Sequence, residues 1–290
     1  MNSFSNIILF VVICLVNSEN VSRTLRLSSG YNCPLVGIGC GGYRTGGPPQ
    51  GKVVIQMIND AVDVGYKHID TASSYLNEAA IGQAINDLLD RNVIQRHELF
   101  VTTKITYSSS NTSAEALHGV RVALQKLNLT YLDLMLLHSP ASDEINRQVW
   151  SGLEEAVQQK LVRSIGVSNF NIKQLETLLK TSPRIVPAIN QVESHPQLNQ
   201  QPLIDYCTKQ GIHLTAYSPL GAGTLIKDPT ITAIGKRYNK TAAQVLIRYE
   251  VQRGIIAIPK SLKKNYIKEN IDVFDFELTT DDMKTLNDMK

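Results

Sequence analysis

Four residues of the kinds that move protons lie at the ends of three predicted strands. Asp70 ends the first of these strands and Tyr75 follows it by five residues, while Lys104 and His138 come at the ends of the next two. A phenol with its ordinary pKa of ~10 is a poor acid at neutral pH, and a neighbouring cation favours the phenolate and lowers that pKa. We therefore expect Lys104 to lower the pKa of Tyr75, and the four groups together to protonate a carbonyl oxygen.

Short apolar segments alternate with longer amphipathic segments after residue 30, a pattern typical of an α/β fold. The predicted strands span residues 36–40, 68–71, 99–103, 132–138, 164–167, 188–191, 213–217 and 255–259. The predicted helices span residues 53–64, 78–89, 113–127, 146–159, 172–180, 203–210 and 241–252. Because no Pro/Ser-rich linker divides the chain, the pattern predicts a single (β/α)8 TIM barrel, preceded by a β-hairpin of residues 25–27 and 33–35. A doubly wound open sheet is the competing architecture, but the glycines of residues 37–42 stand in the wrong register for its dinucleotide-binding turn.

A barrel would bring the polar residues at its strand ends to one place, because the carboxyl ends of parallel strands open on a common mouth. At or just beyond those ends stand Asp70, Lys104, His138, Ser168, Asn169, Gln191, Tyr217 and Lys260. The basic segment 260–264 follows the last predicted strand, and this position favours an anion site over a merely solvated loop. We predict no metal site.

The composition is that of an ordinary globular protein and argues against one class of partner. Hydrophobic residues make up 43% of the chain and charged residues 19%, and the formal net charge is +3. This charge is weak, and no long Lys/Arg run is interleaved with aromatic residues. We therefore predict no nucleic-acid partner.

Residues 1–18 are predicted to be a signal peptide. Residues 7–16 form an apolar run that suits such a peptide and is too short to span a bilayer, although no Lys or Arg precedes it. The alternatives are an uncleaved anchor and an artefactual extension. With cleavage after Ser18, the mature chain 19–290 is one domain without stable membrane insertion, in the secretory pathway or the extracellular fluid. It is cytoplasmic if the segment is not a functional signal.

Cysteine usage fits a reducing compartment better than it fits this export signal. Removal of residues 1–18 leaves Cys33, Cys40 and Cys207, an odd number that gives no disulfide framework. Cys33 and Cys40 could pair, but nothing in the sequence requires it.

The motifs at these strand ends resemble those of the aldo-keto reductase family over about nine-tenths of the chain, from Leu25 onwards. The segments that carry the resemblance are residues 65–78, 136–140, 165–170, 190–196, 216–221 and 258–261. The resemblance implies a (β/α)8 barrel that binds NADPH or NADP+ across its mouth. It also implies hydride transfer to an aldehyde or ketone, with a small-molecule carbonyl as the partner and a monomeric chain.

The same resemblance implies a role for each matching residue. Tyr75 is the general acid, Lys104 lowers its pKa, Asp70 holds Lys104 in place, and His138 binds and orients the substrate carbonyl. Ser168, Asn169 and Gln191 match the residues that contact the nicotinamide carboxamide, and Tyr217 matches the aromatic shelf under the nicotinamide ring. Ser218 and Leu220 match the pyrophosphate contacts. Lys260 and Ser261 match the 2′-phosphate site, and Glu269 and Asn270 match the adenine contacts.

The substrate pocket departs from the usual pattern of the family. Ser139 follows His138 where many members carry Trp, and Gly41 and Gly42 occupy the rim where another Trp is common. These changes predict a wider pocket. The loops 139–147 and 221–229 are short, which predicts a shallow site, and the family's usual tail is absent, which predicts broad specificity or a truncated sequence.

The cofactor site also departs from the family pattern. Tyr266 stands where the family commonly has an Arg that stacks on adenine and pairs with the 2′-phosphate. Tyr can stack but supplies no charge, and Lys263 and Lys264 are candidates to compensate. We expect a preference for NADP that is weaker than usual.

Two other functions compete with carbonyl reduction. One is an NADP-binding barrel with vestigial catalysis that acts as a regulatory or structural protein, which the four intact catalytic positions disfavour. The other is an isomerase or aldolase on the same barrel. It would need a metal cluster or a Schiff-base lysine in an apolar pocket, whereas Lys104 is paired with Asp70 in this prediction.

Overall fold

The computed structural model describes residues 23–42, 46–107 and 111–289. The predicted signal peptide, residues 1–18, lies outside these ranges. Within them, none of the helices combines the length and the apolar character that a membrane crossing requires.

Eight parallel strands form one sheet in which neighbours in the chain are neighbours in space. They are β3 (Ile38–Gly39), β4 (His68–Asp70), β5 (Phe100–Ile105), β6 (Leu132–Leu137), β7 (Val162–Ser168), β8 (Ile189–Glu193), β9 (His213–Tyr217) and β10 (Ile256–Ala257). A parallel bridge between Val36 and Ala257 joins the first strand to the last, and the Gly37 N–H donates to the Ala257 carbonyl at 2.9 Å. These contacts close the sheet and confirm the predicted (β/α)8 barrel.

The predicted hairpin precedes the barrel. Strands β1 (Thr24–Arg26) and β2 (Asn32–Pro34) pair antiparallel. The turn between them reaches the barrel, where the Ser29 Oγ lies 2.6 Å from the Ser164 Oγ in β7. The hairpin therefore packs at the amino ends of the barrel strands, opposite the predicted site.

The helices surround the sheet. They are α1 (Gly51–Asp63), α2 (Glu78–Asp90), α3 (Ser113–Leu127), α4 (Asp143–Gln158), α5 (Ile172–Lys180), α6 (Gln201–Lys209), α7 (Pro229–Tyr238), α8 (Ala242–Gln252), α9 (Lys264–Ile271) and α10 (Thr280–Asn287). Several begin at side-chain caps, as when Thr112 and Glu115 form a capping box at α3. Helix α4 begins three residues before its predicted start because Ser142 caps it, its Oγ accepting from the Ile145 N–H.

Helices α7 and α9 were not predicted, and several strands begin or end at other residues than predicted, β5 and β10 among them. Helix α7 lies within the segment between β9 and α8, and Asp228 caps it. Strand β5 continues to Ile105, so Lys104 lies inside the strand rather than after it. Strand β10 is shorter than predicted and ends at Ala257, and Pro259 beyond it has no N–H to donate.

The barrel core is continuous and apolar, as expected for parallel strands covered on both faces. All six residues of β5 and all six of β6 are buried. Cys33, Cys40 and Cys207 are buried free thiols, so Cys33 and Cys40 do not pair in this structure.

Glu250 is a buried carboxyl group outside the predicted site. It lies on α8, is 0% exposed, and both its oxygens are 3.1 Å from the Ser194 Oγ. The Arg253 Nη1 is 3.5 Å from one of them. Burial outweighs these partners and raises the pKa of Glu250 to about 7.

Glu250 is therefore expected to make folding stability depend on pH. Because the folded state holds the Glu250 proton up to a higher pH than the unfolded state does, stability should fall as pH rises from about 4.5 to about 7. Urea unfolding at pH 5 and pH 8 measures the free energy of unfolding at the two pH values. The decrease in this free energy between pH 5 and pH 8 should be on the order of 2–3 kcal/mol smaller in Glu250→Gln than in wild type. The exposed control Glu176→Gln should keep the wild-type loss, and equal losses in Glu250→Gln and wild type would contradict the assignment.

Candidate active site

A cavity of about 1130 Å³ lies at the carboxyl ends of the barrel strands. Of the four predicted catalytic residues, Asp70, Tyr75 and His138 line it, and Lys104 lies fully buried behind its wall. It is also lined by every residue predicted to contact a cofactor, namely Ser168, Asn169, Gln191, Tyr217, Ser218, Leu220, Lys260, Ser261, Tyr266, Glu269 and Asn270. The structure thus brings the predicted site residues together.

A buried ion pair anchors the site. The Lys104 Nζ lies 2.6 Å from the Asp70 Oδ1 and donates to the Thr71 carbonyl at 2.8 Å. The Gln191 Nε2 donates to the other Asp70 oxygen at 2.8 Å. Burial is the largest single effect on the pKa of Lys104 and lowers it, but the combined effects of Asp70, Tyr75 and Cys40 exceed it and leave that pKa raised. Lys104 is therefore a permanent cation at neutral pH.

Tyr75 is held against this cation by a short 3₁₀ turn, Ser73–Tyr75, that follows β4. The Lys104 Nζ lies 5.2 Å from the centre of the Tyr75 ring, close enough for its charge to act on the hydroxyl. The ring packs on Gly41, where an added Cβ would lie 3.1 Å from the Tyr75 hydroxyl oxygen. Glycine at this position therefore leaves the hydroxyl accessible from the cavity.

The pKa of Tyr75 differs from the sequence-based expectation. Burial of the phenol raises this pKa above its ordinary value of 10, and the opposing effect of Lys104 is smaller. The predicted direction of the Lys104 effect is correct, but the predicted net lowering is wrong because desolvation of the buried phenolate outweighs that effect. Tyr75 is fully protonated at neutral pH.

His138 follows β6, and its ring contacts the Tyr75 ring in the cavity lining. The two rings meet edge to face, with centroids 5.5 Å apart and planes at 78°. Burial, together with the nearby Lys104 charge, lowers the pKa of His138 to about 4. The imidazole is therefore neutral at neutral pH, and it can donate one hydrogen bond and accept another.

A chain of polar groups lines the wall beside His138. The Asn169 Nδ2 donates to the His138 carbonyl at 3.0 Å, and the Tyr217 hydroxyl donates to the Asn169 Oδ1 at 3.0 Å. The Ser168 Oγ donates to the Gln191 carbonyl at 2.8 Å. Asn169 has a φ of +63° and Ser218 a φ of +50°, and non-glycine residues with positive φ often mark functional sites.

The far end of the cavity is basic. Lys260, Ser261 and Tyr266 line it, and the Lys263 Nζ lies 5.4 Å from the centre of the Tyr266 ring. Lys264 points elsewhere, because its ammonium forms ion pairs with Asp63 and Asp60 of α1. The structure therefore leaves Lys263 as the better placed of the two lysines predicted to compensate for Tyr266.

Other cavity residues were missed from the sequence. Ser74, Glu193, Ala222, Gly223 and Ile226 also line the cavity. The glycines of the segment 221–223 could have indicated a loop that approaches a ligand closely, whereas Ser74 gave no signal beyond its position next to Tyr75. Ser139, predicted to widen the pocket, is not among the lining residues. Among residues 23–42, 46–107 and 111–289, no group of three or more metal-ligating side chains is found.

The polar groups that line the cavity fit an extended nicotinamide adenine dinucleotide phosphate. Amide and hydroxyl groups next to Tyr75 and His138 suit a carboxamide, and the Tyr217 side chain lies beside them. Lys260 and Ser261 at the other end suit a phosphate ester.

The chain belongs to the aldo-keto reductase family. The family's sequence profile, described as the Aldo/keto reductase family, matches residues 37–290. A Bacillus subtilis protein, uncharacterized oxidoreductase YtbE, is 41% identical over 270 residues, covering 93% of this chain and 94% of the relative. A Bacillus subtilis glyoxal reductase is 39% identical, covering 92% and 93%. The structure of a Bombyx mori aldo-keto reductase in complex with NADP is 36% identical, with a TM-score of 0.84 and 91% of each chain covered.

Proposed function

We propose that this oxidoreductase reduces an aldehyde or ketone to an alcohol with NADPH, and that Tyr75 donates the proton. The observation that carries the proposal is the position of the Tyr75 ring, 5.2 Å from the Lys104 Nζ of the buried Lys104–Asp70 pair and on one cavity with His138. When bound, NADPH supplies the hydride that the carbonyl carbon receives. The NADP and NADPH complexes of structurally similar family members support this choice of cofactor.

Each of the four residues has a separate role in the protonation of the carbonyl oxygen. The neutral His138 imidazole donates a hydrogen bond that holds this oxygen near the Tyr75 hydroxyl. As the oxygen gains negative charge, it takes the Tyr75 proton, and the fixed Lys104 charge stabilises the phenolate that forms. Asp70 holds the Lys104 ammonium in place, and solvent at the open mouth returns a proton to Tyr75 afterwards.

Replacement of Tyr75 by Phe tests the proposal, because it keeps the ring and removes the proton. Turnover should fall about 10²-fold or more, while NADPH affinity should stay at the wild-type value. A panel of sugar aldehydes, α-keto acids, aliphatic aldehydes and keto-steroids, followed at 340 nm, gives turnover, and NADPH fluorescence gives affinity.

The matched control is Tyr31→Phe, which removes a phenol hydroxyl from the opposite end of the barrel and should leave turnover unchanged. Undiminished turnover in Tyr75→Phe would remove Tyr75 from its proposed role. A wild-type protein that binds NADPH and reduces no carbonyl on the panel would support the vestigial-catalysis alternative instead.

We also propose that Lys263 supplies charge to the 2′-phosphate of NADPH in place of the missing arginine at position 266. Its ammonium lies over the Tyr266 ring, which itself lines the basic end of the cavity. The Lys263 backbone N–H also donates to the Ser261 Oγ at 3.2 Å, so the two residues are held next to each other. A single flexible lysine replaces a bidentate guanidinium here, which accounts for the expected weaker preference for NADP.

Binding of the two cofactors by single-lysine variants tests this assignment. Lys263→Gln should weaken NADPH binding about 10-fold and leave NADH binding unchanged, since NADH lacks the 2′-phosphate. In the control Lys264→Gln, both affinities should stay near the wild-type values because Asp63 and Asp60 engage that ammonium. Equal wild-type affinities for NADPH and NADH, measured by fluorescence titration, would refute the preference.

From the sequence we further propose that residues 1–18 direct export, and that the mature chain 19–290 acts as a monomer in a secretory or extracellular compartment. Amino-terminal sequencing of the protein secreted by its own cells should begin at Glu19. Recovery of a cytosolic protein that retains Met1 would reject the export proposal.

A further inference from the structure

Ser74 is a cavity residue to which the mechanism above gives no role. Its Oγ lies 3.3 Å from the His138 Nδ1, within hydrogen-bond distance, and both side chains line the cavity. The two residues are 64 positions apart in the chain. The contact therefore ties the turn that carries Tyr75 to the strand end that carries His138.

The turn that carries Ser74 is fixed from both sides. The Gln50 Nε2 donates to the Tyr75 carbonyl at 2.8 Å. The buried Asn77 amide donates to the Cys40 and Pro49 carbonyls at 3.0 and 3.1 Å, and accepts from the Thr71 Oγ1 at 2.7 Å. Because these bonds hold the backbone on either side of Ser74, its hydroxyl is presented to His138 from a rigid support.

A neutral imidazole carries a single ring proton, and the hydrogen bond at one nitrogen determines where that proton lies. With a pKa of about 4, His138 is in this neutral form at neutral pH. A hydroxyl that donates to Nδ1 makes this nitrogen the acceptor and leaves the proton on Nε2. Nε2–H is then free to donate to a substrate carbonyl.

We infer that Ser74 is a positioning residue for His138, whose hydroxyl donates to Nδ1 and thereby keeps the ring proton on Nε2, toward the substrate. The inference rests on the proposed function. It does not make Ser74 a catalytic residue, because the hydroxyl acts on the carbonyl through the imidazole.

Paired variants at position 74 test the inference. Threonine and valine have nearly the same shape, but only threonine keeps a hydroxyl, so the difference between Ser74→Thr and Ser74→Val reports the hydrogen bond. We expect Ser74→Val to lower kcat about 3–10-fold and Ser74→Thr to keep the wild-type kcat. The loss should appear in kcat because the His138 hydrogen bond strengthens as charge develops on the carbonyl oxygen. NADPH affinity should be equal in both variants, and Ser73→Ala in the same turn should leave kcat unchanged.

Nitrogen-15 NMR of histidine-labelled protein gives a readout that needs no turnover. The His138 signals, assigned by their loss in His138→Gln, should show a protonated Nε2 and an acceptor Nδ1 in wild type and Ser74→Thr. In Ser74→Val, the population with the proton on Nδ1 should rise. The same nitrogen pattern in Ser74→Thr and Ser74→Val overturns the inference, and so does an equal loss of kcat in both.

The two proposals fail in different ways. Undiminished turnover in Tyr75→Phe removes the proposed proton donor, whereas the nitrogen pattern still decides whether Ser74 sets the His138 tautomer.

Discussion

The buried ion pair of Asp70 and Lys104 is the interaction on which the rest of the site depends. Two charges removed from water each cost several kcal/mol, and their attraction offsets this only when their remaining hydrogen-bonding positions are filled. Here Gln191 and the Thr71 carbonyl fill them. These partners come from β4, β5 and β8 or the residues just beyond, so closure of the barrel is what makes the pair tolerable in the interior. The buried charges of the site are therefore stable only in the closed barrel.

The pair also organises its neighbours around the mouth. Gln191 contacts Asp70 through its side chain and Ser168 through its carbonyl, while Asn169 links Tyr217 to the backbone of His138. Polar groups that bond to one another in this way are held in place before any ligand arrives. Such preorganisation lowers the entropy lost on binding and keeps the donors aimed at fixed points.

The barrel and the catalytic and cofactor-binding residues at its mouth could be predicted from the sequence, because both depend on position along the chain. Alternation of apolar and amphipathic segments predicts the barrel, and the barrel then brings polar residues at the carboxyl ends of its strands to one mouth. Ser74 could not be predicted in the same way, because its contact with His138 depends on the path of one short turn. Helix α9 was missed for a similar reason: its start at Lys264 has no side-chain cap, and its segment is short and rich in charge. Lys263 and Lys264 are adjacent in sequence, yet their different partners depend on the position of α1.

Two opposing effects determine the pKa of Tyr75, and the sequence indicated only one of them. The Lys104 charge favours the phenolate, as expected, but burial disfavours it more and sets the net direction. The two effects have a common origin, since the low-dielectric surroundings that penalise the phenolate also strengthen its attraction to the fixed ammonium. A phenol in such a place keeps its proton at rest, and the cation is felt most strongly once the proton has begun to leave. Stabilisation that grows along the reaction lowers a barrier, whereas stabilisation of the resting phenolate would not.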